Sequence, residues 1–273
     1  MINTQEFKEY LVQQKLRNVS IDSYMRDIEQ FCDYLKQSEI RDINLVTACE
    51  IGRYCDHMTK RGLAPVSMQR KIASVKRLFE YLKNVGQAQI NPATGIQIRQ
   101  RGTAKAKVLS DEQLNYLLSM PDTRSVGGIR DKAMFALINS TGIKVSELIS
   151  LRIETLHLPE KTIRIIRPEG DITLQLDDDV CRCLSAYLAS RDMLLPKDRN
   201  TLFLNIYGEP ITRQGVWKTL KKYADAANMD GITLETIRRS FARRYLDTGN
   251  DIRRLSDILG HSDISITRAY IKN

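Results

Sequence analysis

Thr162-Ile163-Arg164-Ile165-Ile166 and Ile172-Thr173-Leu174-Gln175-Leu176, on either side of Pro168-Glu169-Gly170-Asp171, are where the chain changes its period. Alternating apolar and polar side chains, rich in β-branched residues and separated by a Pro/Gly turn, predict two strands of a hairpin. Leu202-Phe203-Leu204 reads as another short strand. Elsewhere the apolar residues recur every three or four positions, the spacing of helices. The fold class expected is therefore mainly α with a small β-sheet, the sheet lying in the C-terminal part.

Upstream of the hairpin, Met134, Phe135, Leu137 and Ile138 mark a buried helix over Arg130–Ser140, which Thr141-Gly142 ends before a helix over Val145–Leu151. Ser110-x-x-Gln113 reads as a capping box opening this region. Downstream, helices are expected over Asp178–Ser190, Arg213–Ala227, Thr233–Asp247 and Asp251–Leu259.

The first hundred residues read as helices only. Ile21, Tyr24, Ile28, Phe31 and Leu35 form one stripe, with Arg26, Asp27 and Glu29 read as lying outside it. Thr47-x-x-Glu50 has the form of a capping box, and Pro65 precedes a helix carrying Ile72, Val75, Leu78, Phe79 and Leu82. The other face of that helix shows Arg70, Lys71, Lys76 and Arg77. Such a face is either solvated or turned to a polyanion. Asn91-Pro92 stops the helical pattern, and the polar stretch after it carries Arg99, Arg101, Lys105 and Lys107. The domains expected are an all-α domain over 1–92, a basic linker over 93–107 and an α+β domain over 108–273.

The chain has 273 residues and a net charge of +9, and residues 1–100 hold 15 basic against 11 acidic side chains. A basic excess spread over both halves favours a nucleic-acid partner. Five cysteines without C-x-x-C spacing and only three histidines speak against a zinc site and for reduced thiols. No apolar run is long enough for a membrane span, and the start of the chain has no signal-like segment, so a cytoplasmic protein without a membrane partner is expected.

Near the end, Leu255, Ile258 and Leu259 close a helix at Gly260-His261. Ser262 and Asp263 can cap a last helix with Ile266 and Tyr270 on one face. With Arg238 upstream, an arginine, a histidine and a tyrosine can converge on one phosphate. The plainer alternative is a capping His261 and a packing Tyr270.

In the order of its blocks the chain resembles the tyrosine recombinase (phage integrase) family, most of all its compact Xer-type members. The blocks are Asn18 to Tyr24, Asn91-Pro92-Ala93, Arg130-Asp131-Lys132-Ala133, Thr141-Gly142-Ile143-Lys144-Val145-Ser146-Glu147-Leu148, and Leu259-Gly260-His261 through Tyr270. The resemblance implies a helical core-binding domain and a catalytic domain clamping double-stranded DNA. It also implies site-specific recombination or integration, serving a chromosome or mobile element, through a covalent 3′-phosphotyrosine that needs no metal or other cofactor.

Carried over residue by residue, Tyr270 is the nucleophile, His261 and Arg238 hold the phosphate, and Glu147 orients the first cationic position. That first position is Lys144, where the family has arginine. Glu235 occupies the first place of the family's His-x-x-Arg, and Arg167 stands in the hairpin turn where a lysine acid is usual. Arg70, Lys71, Arg99, Arg101 and Lys105 are the expected DNA contacts. A homo-oligomer on DNA, a tetrameric synapse, is implied, with a second recombinase or accessory protein as a further partner. Three residues follow Tyr270, which leaves the assembly without the family's C-terminal exchange helix. A non-catalytic, recombinase-like DNA-binding protein is the alternative reading, and a type IB topoisomerase a weaker third.

Overall fold

The computed structural model describes residues 3–16, 18–98 and 107–272 and divides the chain into two units, Met1–Thr103 and Ala104–Asn273.

The first unit contains α1 (Thr4–Gln13), α2 (Asn18–Gln37), α3 (Ala48–Lys60) and α4 (Pro65–Asn84). Phe7, Leu11, Ile28, Phe31, Ile51, Val75 and Leu78 are fully buried at its centre. Asp27, read from the sequence as an outward residue, is instead 1% exposed. It accepts from Arg70, Lys71 (2.9 Å) and Ser74 (2.8 Å), so three donors on α4 satisfy a carboxylate that would otherwise be costly to bury. Thr47 caps α3 through the Glu50 amide, but the Glu50 carboxylate pairs with Arg53. Ala93, expected in the linker, is fully buried in this unit's core, and Ile96 packs against that core.

The second unit adds α5 (Asp111–Ser119), α6 (Val126–Thr141), α7 (Val145–Ser150), β1 (Leu156–His157), β2 (Thr162–Ile165) and β3 (Ile172–Gln175). These are followed by α8 (Asp178–Arg191), α9 (Arg213–Ala226), α10 (Leu234–Asp247), α11 (Ile252–Leu259) and α12 (Ile264–Lys272). The sheet is antiparallel in the order β1-β2-β3, with Ile163 opposite Leu174 and Ile165 opposite Ile172. Helix α6 is buried along most of its length, with Arg130 and Asp131 inside beside its apolar residues, and packs between α8 and α10. Ser110 and Gln113 make the expected reciprocal cap of α5. Leu202-Phe203-Leu204 is buried but is not a strand. Its neighbourhood holds only the isolated bridges Arg152–Thr201 and Leu204–Pro210, because three apolar residues of coil plug the core without a neighbouring ladder. No helix among the described residues is long and apolar enough to cross a membrane.

Candidate active site

The site is assembled on two helix ends. Helix α6 stops at Gly142 and α11 at Gly260, both in the left-handed conformation, with φ of 61° and 60°. Each stop leaves carbonyls without helical partners, and the partial negative charge of a helix C-terminus favours cations there. At the end of α11 cationic side chains fill the gap residue by residue. Arg167 donates to the carbonyls of Asp257 (2.5 Å) and Ile258 (2.7 Å), Arg238 to Leu259 (2.5 Å) and Lys144 to Gly260 (2.5 Å). Arg238 Nε also reaches the Gly142 carbonyl at 2.5 Å, so one guanidinium joins both helix ends.

Each cation is fixed from its own side as well. Lys144 is the residue before α7, and its backbone amide donates to Glu147 at 2.8 Å. The other oxygen of Glu147 takes Arg167 Nε at 2.7 Å. Glu147 thus holds the Lys144 backbone and the Arg167 side chain, so its hold on the first cationic position runs through the Lys144 main chain. Arg167 stands in the β2–β3 turn as expected, but its side chain is only 8% exposed and committed to Glu147 and two carbonyls. With an always-charged guanidinium it is a poor proton donor. Burial lowers the pKa of Lys144; Glu147 opposes the shift, and Arg238 and Arg167 add to it.

His261 follows the Gly260 turn, its Nδ1 2.8 Å from Thr267 Oγ1. Burial, with Arg238 and Lys144 nearby, lowers its pKa to about 4, so the ring is neutral at pH 7. The Tyr270 ring meets it edge-on, with centroids 5.3 Å apart. Tyr270 is 9% exposed, and its hydroxyl is buried without a hydrogen-bond partner among the described residues. Burial raises the phenol pKa, and the Glu235 carboxylate beside it raises it further. Glu235 is itself half exposed, 3.9 Å from Arg238 and 3.8 Å from Arg239.

Tyr270, His261, Arg238, Lys144, Glu235, Arg167 and Glu147 therefore gather in one place. The face of the last helix is corrected: Ile266 is exposed and the fully buried Thr267 takes its place, one turn before Tyr270. Thr267 and the carbonyl row of α11 were not foreseen; the Thr267–Tyr270 spacing of three was the available signal. Lys161 is occupied elsewhere, 2.7 Å from Asp178. Among the expected DNA contacts, Lys71 is corrected: it is 6% exposed and bound to Asp27 and Gln30. Arg70 is half exposed, with one arm on Asp27. Arg99, Arg101 and Lys105 lie outside the described residues. Among the described residues no three His, Cys, Asp or Glu side chains gather to hold a metal.

Known proteins resemble this chain over most of its length. Residues 107–273 match the model of the phage integrase family, and residues 4–86 match its N-terminal SAM-like domain. Tyrosine recombinase XerD of Listeria monocytogenes serovar 1/2a is 34% identical over 266 residues, 95% of this chain and 90% of that protein. XerD of Halalkalibacterium halodurans is 32% identical over 274 residues, covering 98% and 92%. Among solved structures, the Tn1549 transposon integrase in complex with circular intermediate DNA superposes with a TM-score of 0.78 at 18% identity, covering 99% of this chain and 95% of that one. The XerH site-specific recombinase bound to its palindromic substrate gives 0.78 at 20% identity, over 92% and 76%.

Proposed function

The chain belongs to the phage integrase family of tyrosine recombinases, and on that premise we propose that it cuts and rejoins duplex DNA at specific sites through Tyr270. The observation that carries the reading is the buried, unpartnered Tyr270 hydroxyl among Arg238, His261 and Glu235. A phenol kept without a partner is unfavourable for folding alone and suited to a ligand that completes it.

Tyr270 Oη attacks a backbone phosphate in line, and the Oη–P bond forms as the bond to the 5′-oxygen breaks. Negative charge grows on the non-bridging oxygens, where Arg238, already held by two helix-end carbonyls, stabilises it with little reorganisation. Neutral His261, its Nδ1 engaged with Thr267, has its other ring nitrogen for the phosphate. Glu235, beside the phenol, takes its proton. The phosphotyrosine keeps the energy of the broken ester, so a 5′-hydroxyl can rejoin without a cofactor.

Exchange between two duplexes breaks four strands, and each break consumes one tyrosine. Four copies on DNA, or a set completed by a second recombinase, meet that requirement. The stretch after Ile96 leads from the core-binding domain to the catalytic one and supplies phosphate contacts through Arg99, Arg101 and Lys105. The reaction takes place on DNA in the cytoplasm.

A second reading, a recombinase-shaped protein that binds DNA without cutting it, is favoured by one observation: Glu235 sets a carboxylate where a phosphate would lie. Nicked suicide duplexes, selected by the protein itself from a random-sequence pool, separate the two. A covalent adduct on a denaturing gel, absent in Tyr270→Phe, is the expected result. Tight binding without adduct in the wild type would establish the binding module.

A further inference from the structure

We infer that Lys144 donates the proton taken by the leaving 5′-oxygen, so that this side chain, and none from the hairpin turn, is the general acid of the reaction. The inference rests on the reading of Tyr270 as the nucleophile.

An alkoxide leaves slowly unless a positioned group protonates it as the bond breaks. The cluster offers few such groups. Arg167, Arg238 and Arg239 are guanidinium ions that do not release protons near neutral pH. His261 is held neutral, and Glu235, beside the phenol, is already assigned its proton in the reaction proposed above. The nearest lysine in sequence to the β2–β3 turn, Lys161, is bound to Asp178 at the start of α8. Lys144 is the amine in the site.

Its geometry suits the task. One of its three N–H groups is spent on the Gly260 carbonyl, one residue before His261, which fixes Nζ and leaves two for substrate. A Cβ placed on Gly260 would come within 2.8 Å of Nζ, so the backbone there leaves room for this amine and little else. The charged groups facing it are Glu147 from α7, Arg238 from α10, and Arg167 and Glu169 from the hairpin. Burial lowers its proton affinity and Arg238 and Arg167 add to that against the opposing Glu147 and Glu169, leaving it lowered in the direction an acid working near neutral pH requires.

The step balances without another reactant. Oη–P forms and P–O5′ breaks; the phenol proton passes to Glu235, and an Nζ proton passes to O5′, leaving a neutral amine. In rejoining, the 5′-hydroxyl attacks phosphorus, Lys144 recovers its proton and Glu235 returns the other to Tyr270.

The test compares two suicide duplexes that differ in one atom, oxygen or sulfur at the bridging 5′ position. A thiolate departs without protonation, since thiols are far more acidic than alcohols. Lys144→Ala and Lys144→Arg are expected to slow adduct formation by roughly 10²–10⁴-fold on the oxygen ester. On the sulfur ester both should fall within about tenfold of wild type, which also establishes that the variants fold. Tyr270→Phe should fail on both. Equal losses on both esters for the Lys144 variants would overturn the proposal and make Lys144 a phosphate ligand only. Unimpaired cleavage of the oxygen ester by Lys144→Ala would overturn it as well. A wild type that cleaves neither ester would overturn the reading of Tyr270 itself.

Discussion

Arg239 lies over the face of Tyr270, its guanidinium carbon 4.4 Å from the ring centre, and its Nη1 donates to the Tyr270 carbonyl at 3.3 Å. The neighbouring Arg238 faces the two helix ends. Two consecutive residues of α10 therefore divide the work, one holding the ring and the other the charge that the ring's oxygen would meet.

Replacing Arg239 with methionine keeps much of the apolar stem and removes the cation above the ring. We expect a stability loss of about 1 kcal/mol in urea denaturation, the usual worth of a partly desolvated cation–π contact. The rate of covalent adduct formation should fall further than that loss explains, because the ring is no longer fixed. An unchanged adduct rate would mean that α12 positions the ring unaided.

Alanine at the two helix stops should separate folding from chemistry. Both positions have positive φ, which costs a residue with a Cβ about 1–2 kcal/mol. At Gly142 the added carbon would also lie 2.4 Å from the Phe241 ring in the core, adding about 1–3 kcal/mol of overpacking. At Gly260 it would meet the ends of Lys144 and Arg167, which can move aside. Gly142→Ala should be the less stable protein and Gly260→Ala the more impaired in cleavage; the reverse order in either assay would contradict the site as drawn.

The neutral His261 ring has a consequence for acid stability. Its folded pKa of about 4 lies below the ordinary value near 6.5. The unfolded chain therefore binds a proton first as pH falls. The stability held above pH 6.5 drains away on the way down through 4. After discounting for the ring's partial exposure, about 1–2 kcal/mol is at stake. His261→Gln, which can still reach Thr267, should flatten the dependence of the urea midpoint between pH 6.5 and 4.

Asp27 and Lys71 make a fourth case. Breaking a buried, hydrogen-bonded ion pair typically costs about 3–5 kcal/mol, because the remaining charge is stranded. Lys71→Ala should thus unfold the N-terminal unit at lower urea while leaving the salt dependence of DNA binding unchanged. Neutralising Arg99, Arg101 and Lys105 should do the opposite, reducing the slope of log affinity against log salt by about 0.9 per lost phosphate contact. A smaller slope in Lys71→Ala would return that residue to the DNA footprint.

Much of this was legible in the sequence because the signals were local. The hairpin follows from a change of period, α5 from its reciprocal cap, and the stops of α6 and α11 from a glycine after an apolar run. The misreadings share a cause: each depended on a partner far away in the chain. Asp27 sits on a helix face where a charge is normally solvated, until Arg70, Lys71 and Ser74, more than forty residues on, make burial possible. Ile266 was assigned inward by spacing alone, and no local rule says that Thr267 is wanted inside to meet His261. The commitment of Arg167 to Asp257 and Ile258, about ninety residues later, likewise needs the fold.

The carbonyl row at the end of α11 carries a constraint on inheritance. What those positions contribute to the cation cluster is oxygen from the main chain, which every amino acid possesses. Outward positions such as Arg253, Arg254 and Asp257 are thus free to drift, and comparing side chains between relatives would show nothing at stake. Chain length is another matter. Inserting or deleting one residue within Ile252–Leu259 would turn everything after it by about 100°. Arg167, Arg238 and Lys144 would lose their anchors on α11 in a single mutational step. On its outward face the segment is a ruler: indifferent to spelling, intolerant of a changed count.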